Sequence, residues 1–312
     1  MNKKETYAKI FQKTILKRAD DRCLENHKDN YCKALNRLKV YCHNNEQEAE
    51  KLLRQIIEVL HKSRITINFN SLNFDFLNLL KKRELLNCFH FSDKPNEVSV
   101  YNIGRDSIET STFELTKLNM SRYQSYALTK GFSLSKKPLN KDFHPYSRPI
   151  YAALDFLNHQ HGGAQQYGKS FFVLKDYVKQ ICTFSPFDTY GNRFQGDINK
   201  LCTYFSFENL IANCQNDFFG YNCLKSLIYK ARNINFAIHN NYGTGAEGNY
   251  IECHIHGQIL IERDIKHIFL SKRELNEMYL KKNITIILNL ISEMNSKFPK
   301  TDGLDFIILI ND

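Results

Sequence analysis

The sequence predicts an α+β protein: a helical N-terminal lobe over residues 1–95, followed by an α+β body over 96–312. Three observations lead to this reading. The first ninety residues carry apolar side chains at helical spacing. The later residues contain short runs that alternate apolar and polar side chains, the pattern of half-buried strands. One of these runs, Tyr250-Ile-Glu-Cys-His-Ile-His-Gly257, puts an ionisable residue at every second position. Tyr250, Glu252, His254 and His256 therefore share one strand face, and Ile251, Cys253 and Ile255 share the other.

In the front lobe, Tyr7, Ile10, Phe11, Ile15 and Leu16 predict a helix over 3–19. A second helix fits 29–43. A third fits 45–62, where Leu52, Leu53, Ile56, Ile57 and Leu60 form a stripe and Glu46, Glu48 and Glu50 suit the N-terminal end. Residues 64–70 alternate like a strand, and a short helix is expected over 73–88. In the body, 97–103 alternate, 170–174 form an apolar run, and 180–185 and 249–261 also read as strands. A Gly- and Gln-rich loop covers 160–168 and a polar loop 185–198. Residues 207–231 are mixed and partly helical. A helix is expected at 272–296 and an apolar strand at 304–310.

Length and composition set further bounds. A chain of 312 residues with 42% hydrophobic and 13% aromatic residues can bury a sizeable core without tryptophan. The nine cysteines are odd in number and contain no C-x-x-C pair, which argues against a zinc knuckle or a disulfide framework. Reduced thiols in a cytosolic-type fold are expected. No run approaches the ~20 apolar residues of a membrane span, and the first residues form no apolar signal core. The net charge of +10 is uneven, at +7 over residues 1–90 and +3 over the rest. The basic residues are spread along helices and match no nucleic-acid-binding signature, so a solvated surface is favoured over a nucleic-acid site.

Three segments could carry chemistry. In Ser147-Arg-Pro-Ile-Tyr151, the proline holds Arg148 extended, and a guanidinium there can present its planar fork to a phosphate or carboxylate. Gly163 to Ser170 matches the P-loop spacing, but a strand is expected after Ser170 where a P-loop needs a helix N-terminus. The match is read as accidental. In Cys182-Thr-Phe-Ser185, Thr183 and Ser185 share a strand face.

An Arg, then a hydroxyl pair on a strand, then a Glu on a later strand resembles the arginine–serine–glutamate layout of mono-ADP-ribosyltransferases. More specifically, RPIYAALDFL, GGAQQYGKSFFVLK and CTFSPFD within 148–188, and YIECHIHGQILIERDIKHIFL from Tyr250, resemble a bacterial domain family. That family carries Arg-Pro-x-Tyr-Gly-Ala-Leu and Glu-x-x-x-His-Gly motifs and includes effectors that ADP-ribosylate proteins of host or competitor cells. RITINF and SRYQSYALTKGFSLS resemble its weaker upstream motifs. The chain departs from the family where Phe-His-Pro-Asp-Arg is replaced around 69–72, where Ala152 replaces Gly, and where Asp188-Thr189 replaces Asp-Ser.

The resemblance implies a split β-sheet body and an NAD-dependent transferase of the glycosyltransferase class, an exported effector or toxin with a protein substrate. Glu252 would stabilise the oxocarbenium-like state and polarise the incoming nucleophile. Arg148 would bind the pyrophosphate or the nicotinamide ribose. Tyr151 or Tyr167 would stack on nicotinamide, and Ser185 or Ser133 would supply the motif hydroxyl. Arginine-modifying members carry a second Glu where this chain has Tyr250, and Glu247 is a candidate substitute.

Two alternatives stand beside this reading. Glu252, His254 and His256, or His159 with His161, could ligate a metal, although alternate residues on a strand lie ~6–7 Å apart and further ligands must come from elsewhere. The chain could also be a non-enzymatic binding effector that works through its basic helical front.

Overall fold

The computed structural model describes residues 3–71, 83–90, 100–123, 142–186, 188–189, 196–214, 223–234, 251–279 and 284–311. The front contains helices α1 (Lys3–Glu25), α2 (His27–Lys39) and α3 (Glu46–Lys62), then strand β1 (Arg64–Phe69). Asn45 caps α3: its backbone is extended, and its side-chain oxygen accepts from the Glu48 N–H at 3.2 Å. Next come β2 (Glu84–Leu85) and helix α4 (Val100–Thr112). The body adds β3 (Ile150–Asp155), β4 (Ser170–Leu174), β5 (Cys182–Ser185), β6 (Cys202–Thr203), α5 (Phe207–Asn213) and α6 (Cys223–Ala231). It closes with β7 (Ile251–Ile255), β8 (Ile259–Leu260), a single turn α7 (Ile261–Asp264), β9 (Ile265–Ser271), α8 (Lys272–Tyr279), α9 (Ile284–Lys297) and β10 (Ile307–Ile310). The protein is α+β, with a helical N-terminal region.

One eight-stranded sheet, in the order β10-β9-β4-β1-β3-β7-β5-β6, organises the molecule. Among the described residues, only the β9–β10 pair is parallel. β1 lies in the middle, antiparallel to β3 through Thr66↔Ala153 and to β4 through Thr66↔Val173. The segment assigned to the front lobe thus supplies a central strand of the sheet.

The register sorts side chains cleanly between the two faces. Ala153 pairs with Glu252, Tyr151 with His254, Ser185 with Glu252 and Thr183 with His254. One face therefore carries Thr66, Tyr151, Thr183, Ser185, Glu252 and His254. The opposite face carries Ile65, Ala152, Leu154, Phe184, Ile251, Cys253 and Ile255. These share one apolar core with Leu35 and Leu38 of α2, Leu52, Leu53 and Ile56 of α3, and α5 and α6. Helix α1 lies elsewhere: Ile15 packs with Phe113, Leu115, Ile198 and Leu201, and Gln12 reaches the polar face.

Several elements differ from expectation. The alternating 97–103 run is, over its described part, the first turn of α4 rather than a strand. The buried residues from that helix onward are Asn102, Arg105, Asp106, Glu109, Thr110, Thr112 and Phe113. This is helical spacing written in polar residues, which apolar periodicity does not register. The helix expected over 73–88 lies mostly outside the described residues, and its last part holds β2. The 272–296 helix is divided between α8 and α9, and β9 was not anticipated. All nine cysteines are free thiols. Among the described residues, no helix is long and apolar enough to cross a membrane.

Candidate functional site

The polar face is hollowed between β1, β3 and β7 on one side and α4 on the other. A cavity of ≈ 240 Å³ is lined there by, among others, Asn68, Arg105, Tyr151, Tyr167 and Glu252. The 160–168 loop closes one side because β1 pins it. Thr66 Oγ1 accepts from the Gly163 N–H at 2.9 Å, and Asn68 Oδ1 accepts from the Ala164 N–H at 3.0 Å. Gly168 ends the loop at φ +142°, where a Cβ would lie 2.0 Å from the Phe69 carbonyl oxygen. Only glycine permits this approach of loop to strand. The loop carries Tyr167, 52% exposed, to the cavity. Ser170 then opens β4, so no helix N-terminus follows the P-loop-like spacing.

Glu252 is the centre of this site. It is only 5% exposed, yet it borders the cavity. Its Oε1 accepts from the Thr189 N–H at 3.0 Å, from the Thr189 hydroxyl, and from His254 Nε2 at 2.8 Å. Its Oε2 has no hydrogen bond among the described residues. Burial pushes the carboxyl upward, but the bond and charge of His254, the Arg105 guanidinium and the Thr189 hydroxyl outweigh burial. They hold it down at about 2. The site therefore presents an ionised carboxylate with one oxygen clamped and the other available.

Arg105 is the guanidinium of the cavity. It lies 3.9 Å over the Tyr151 ring, a cation–π distance. Burial opposes its charge, whereas Tyr151, Glu252, Tyr101 and Glu109 favour it, and the balance keeps it protonated. The Tyr151 hydroxyl donates to Glu109 Oε1 at 2.9 Å. Burial raises Glu109 to about 7, although Arg148, Arg105 and Tyr151 pull it the other way.

The sequence-derived candidates separate. Glu252, Tyr151 and Tyr167 come together at the cavity. Ser185 is fully buried, directly opposite Glu252 in register. Arg148 does not line the cavity. Its guanidinium is completely buried and donates to Asp106 Oδ1 at 2.5 Å, to the Ser121 carbonyl at 3.0 Å and to Ser147 Oγ at 3.1 Å, with Glu109 Oε2 at 3.3 Å. It anchors α4, the helix that supplies Arg105. Ser133, Glu247 and Tyr250 lie outside the described residues. His254 and His256 are spent on hydrogen bonds along the sheet, and His159 Nδ1 bonds Asp155. Among the described residues, no three His, Cys, Asp or Glu side chains are placed to hold a metal ion.

Sequence reasoning missed Arg105 and Thr189. Arg105 was hidden by the strand reading of 97–103. A polar stripe at 102, 105, 106 and 109 was the available signal. Thr189 stands where the resembled family has Ser, and its hydroxyl is the one that holds Glu252.

No curated protein matches the chain. Residues 124–278, just under half of it, are similar to a family described as a protein of unknown function (DUF3626). The similar segment includes Glu252, Tyr151, Tyr167 and Thr189 and stops short of Arg105.

Proposed function

We propose that this protein is an NAD-consuming mono-ADP-ribosyltransferase, an exported effector that modifies a protein. The observation that carries the reading is Glu252: a carboxylate held ionised, clamped through Oε1, at the edge of a cavity that also holds a guanidinium. Breaking the bond between nicotinamide and ribose sends the electron pair to the nicotinamide nitrogen and leaves positive charge on the ribose. Oε2 would face that charge. A fixed, poorly solvated anion stabilises a developing cation without reorganising, and such preorganised electrostatics supply most of the rate enhancement in many active sites. The acceptor side chain then bonds to the ribose carbon and its proton passes to Glu252.

The remaining roles follow from position. Arg105, rather than Arg148, would take the pyrophosphate or ribose oxygens by charge-assisted bonds. Tyr167, half-exposed at the cavity, would stack on nicotinamide, because Tyr151 already has one ring face under Arg105. The cavity is slightly below the ~300 Å³ at which ligand sites usually begin. It suits the nicotinamide riboside end of the dinucleotide.

The test is incubation with NAD labelled in its adenylate half and a cell lysate. A discrete labelled protein band that disappears with Glu252→Gln is expected. Equal labelling by that variant, or no label with several lysates, would overturn the reading.

A further inference from the structure

A continuous line of hydrogen bonds runs beneath the cavity from the N-terminal helix to Glu252. Gln12 Nε2 donates to the Tyr146 carbonyl at 3.2 Å, which turns Gln12 Oε1 toward His256 Nδ1, 2.8 Å away. His256 Nε2 lies 2.9 Å from Thr183 Oγ1, which lies 3.1 Å from His254 Nδ1. His254 Nε2 ends the line at Glu252 Oε1, 2.8 Å away. Gln12, Thr183, His254, His256 and Glu252 are all nearly or fully buried.

Counting protons along this line fixes its charge. Both ends, the Gln12 amide oxygen and the Glu252 carboxylate oxygen, only accept. The imidazole nitrogens facing them, His256 Nδ1 and His254 Nε2, must therefore both carry protons. The two inner links meet at Thr183, and each needs one proton. The hydroxyl has one to give, so the other must come from an imidazole. Four links thus take three N–H protons from two rings, whose neutral forms supply two. One ring holds an extra proton.

Position decides which ring. His254 touches the carboxylate, whereas the His256 ring nitrogens face the neutral Gln12 and Thr183, and His256 is pushed well below its ordinary value by burial and by its neighbour His254. The Tyr151 and Phe113 rings meet His254 edge-on at 5.2 and 5.3 Å, and Arg105 and Glu109 face Tyr151 from α4.

We propose that His254 and His256 together hold a single positive charge, placed on His254. Gln12 and Thr183 are then positioning residues that keep Glu252 ionised and oriented from outside the cavity. The charge count stands independently of the proposed activity, and the positioning role rests on that activity. Helix α1 thereby gains a purpose: it supplies the terminal acceptor of a line ending at the candidate catalytic carboxylate.

The test has two arms. Nitrogen NMR of 15N-histidine-labelled protein at pH 7, with the signals assigned through bonds, reads each ring directly and needs no variant. The expected result is two protonated nitrogens on His254 and one, Nδ1, on His256. Two neutral rings, two cationic rings, or the charge on His256 would overturn the proposal.

The second arm compares Thr183→Val with Thr183→Ser. Losing the hydroxyl should lower kcat for NAD cleavage about tenfold, the equivalent of one buried hydrogen bond. KM for NAD should stay within about twofold, because substrate binding is untouched, and serine should restore kcat. Valine matching the wild type, or serine failing to rescue, would overturn the positioning role. If wild type cleaves no NAD at all, the proposed function fails while the NMR arm still decides the charge count.

Discussion

The two faces of the central sheet are made by the same strands and do opposite work. On one face Ile65, Leu154, Cys253 and Ile255 vanish into a core closed by α2, α3, α5 and α6. On the other, Glu252 of β7 and Arg105 of α4 border one cavity, and beside it Asp106 and Glu109 of the same helix pair with the buried Arg148. The strand repeat of two separates these jobs by a single residue. The apolar face carries the continuous core, and the buried charges on the other face, Arg148, Asp106 and Glu109, are held by pairing. Buried charges of this kind add little stability over apolar side chains of the same size, which is why the functional proposal is placed on the cavity side.

Substitutions should break this comparison in distinct ways. The largest effect on stability is expected where the polar face is deepest. Arg148→Met strips Asp106 and Glu109 of their buried cation and should destabilise by about 3–5 kcal/mol, measured by urea denaturation. Leu53→Ala, under the apolar face, should cost roughly 3 kcal/mol by the same measurement. It should leave NAD affinity of the folded fraction unchanged, which Arg148→Met should not.

A pH experiment sharpens the contrast. Glu109 is raised from its ordinary 4.5 to about 7 in the folded protein. Below about pH 4.5 both folded and unfolded chains keep this proton. As pH rises toward 7 the unfolded chain loses it first, so the folded state loses stability across that window. Wild type should fall relative to Glu109→Gln between those limits in denaturation curves taken at several pH values. Parallel curves would contradict the buried placement of Glu109. The smallest effect belongs to the rim. Tyr167→Ala should weaken NAD binding by about 1 kcal/mol, the size of one aromatic contact. Because Tyr167 is half-exposed, the melting temperature should barely move, as calorimetry of both properties would show.

How much was legible in the sequence follows the same division. The alternation in Arg64–Phe69 and Ile251–Ile255, the apolar run Ser170–Leu174 and the strand reading of 180–185 located four of the central strands, and the alternation put Glu252 on the correct face. The stripe of Leu52, Leu53, Ile56 and Leu60 located α3. Helix α4 was misread because its buried side is Asn102, Arg105, Asp106 and Glu109, and a rule that follows apolar residues looks past a helix whose buried side is charged. The error had a consequence: Arg148, set off by its proline, stood out, while Arg105, the arginine at the cavity, did not. Proline fixes a backbone, but it does not show whether the side chain meets a ligand or another part of the same chain. β9 escaped notice because Lys266 and His267 interrupt its apolar residues, although all but Lys266 and Phe269 are buried. The role of Thr189 depends on a contact across 63 residues that no local pattern encodes.

The central claim is that Glu252 meets the positive charge formed when NAD gives up nicotinamide. The most direct measurement is nicotinamide release from NAD with no protein acceptor present, comparing wild type with Glu252→Gln after both are shown to melt at similar temperatures. The account predicts release by wild type and a loss of at least about a hundredfold in the variant, the scale on which a single charge-stabilising group acts. Equal rates in two folded proteins would contradict it.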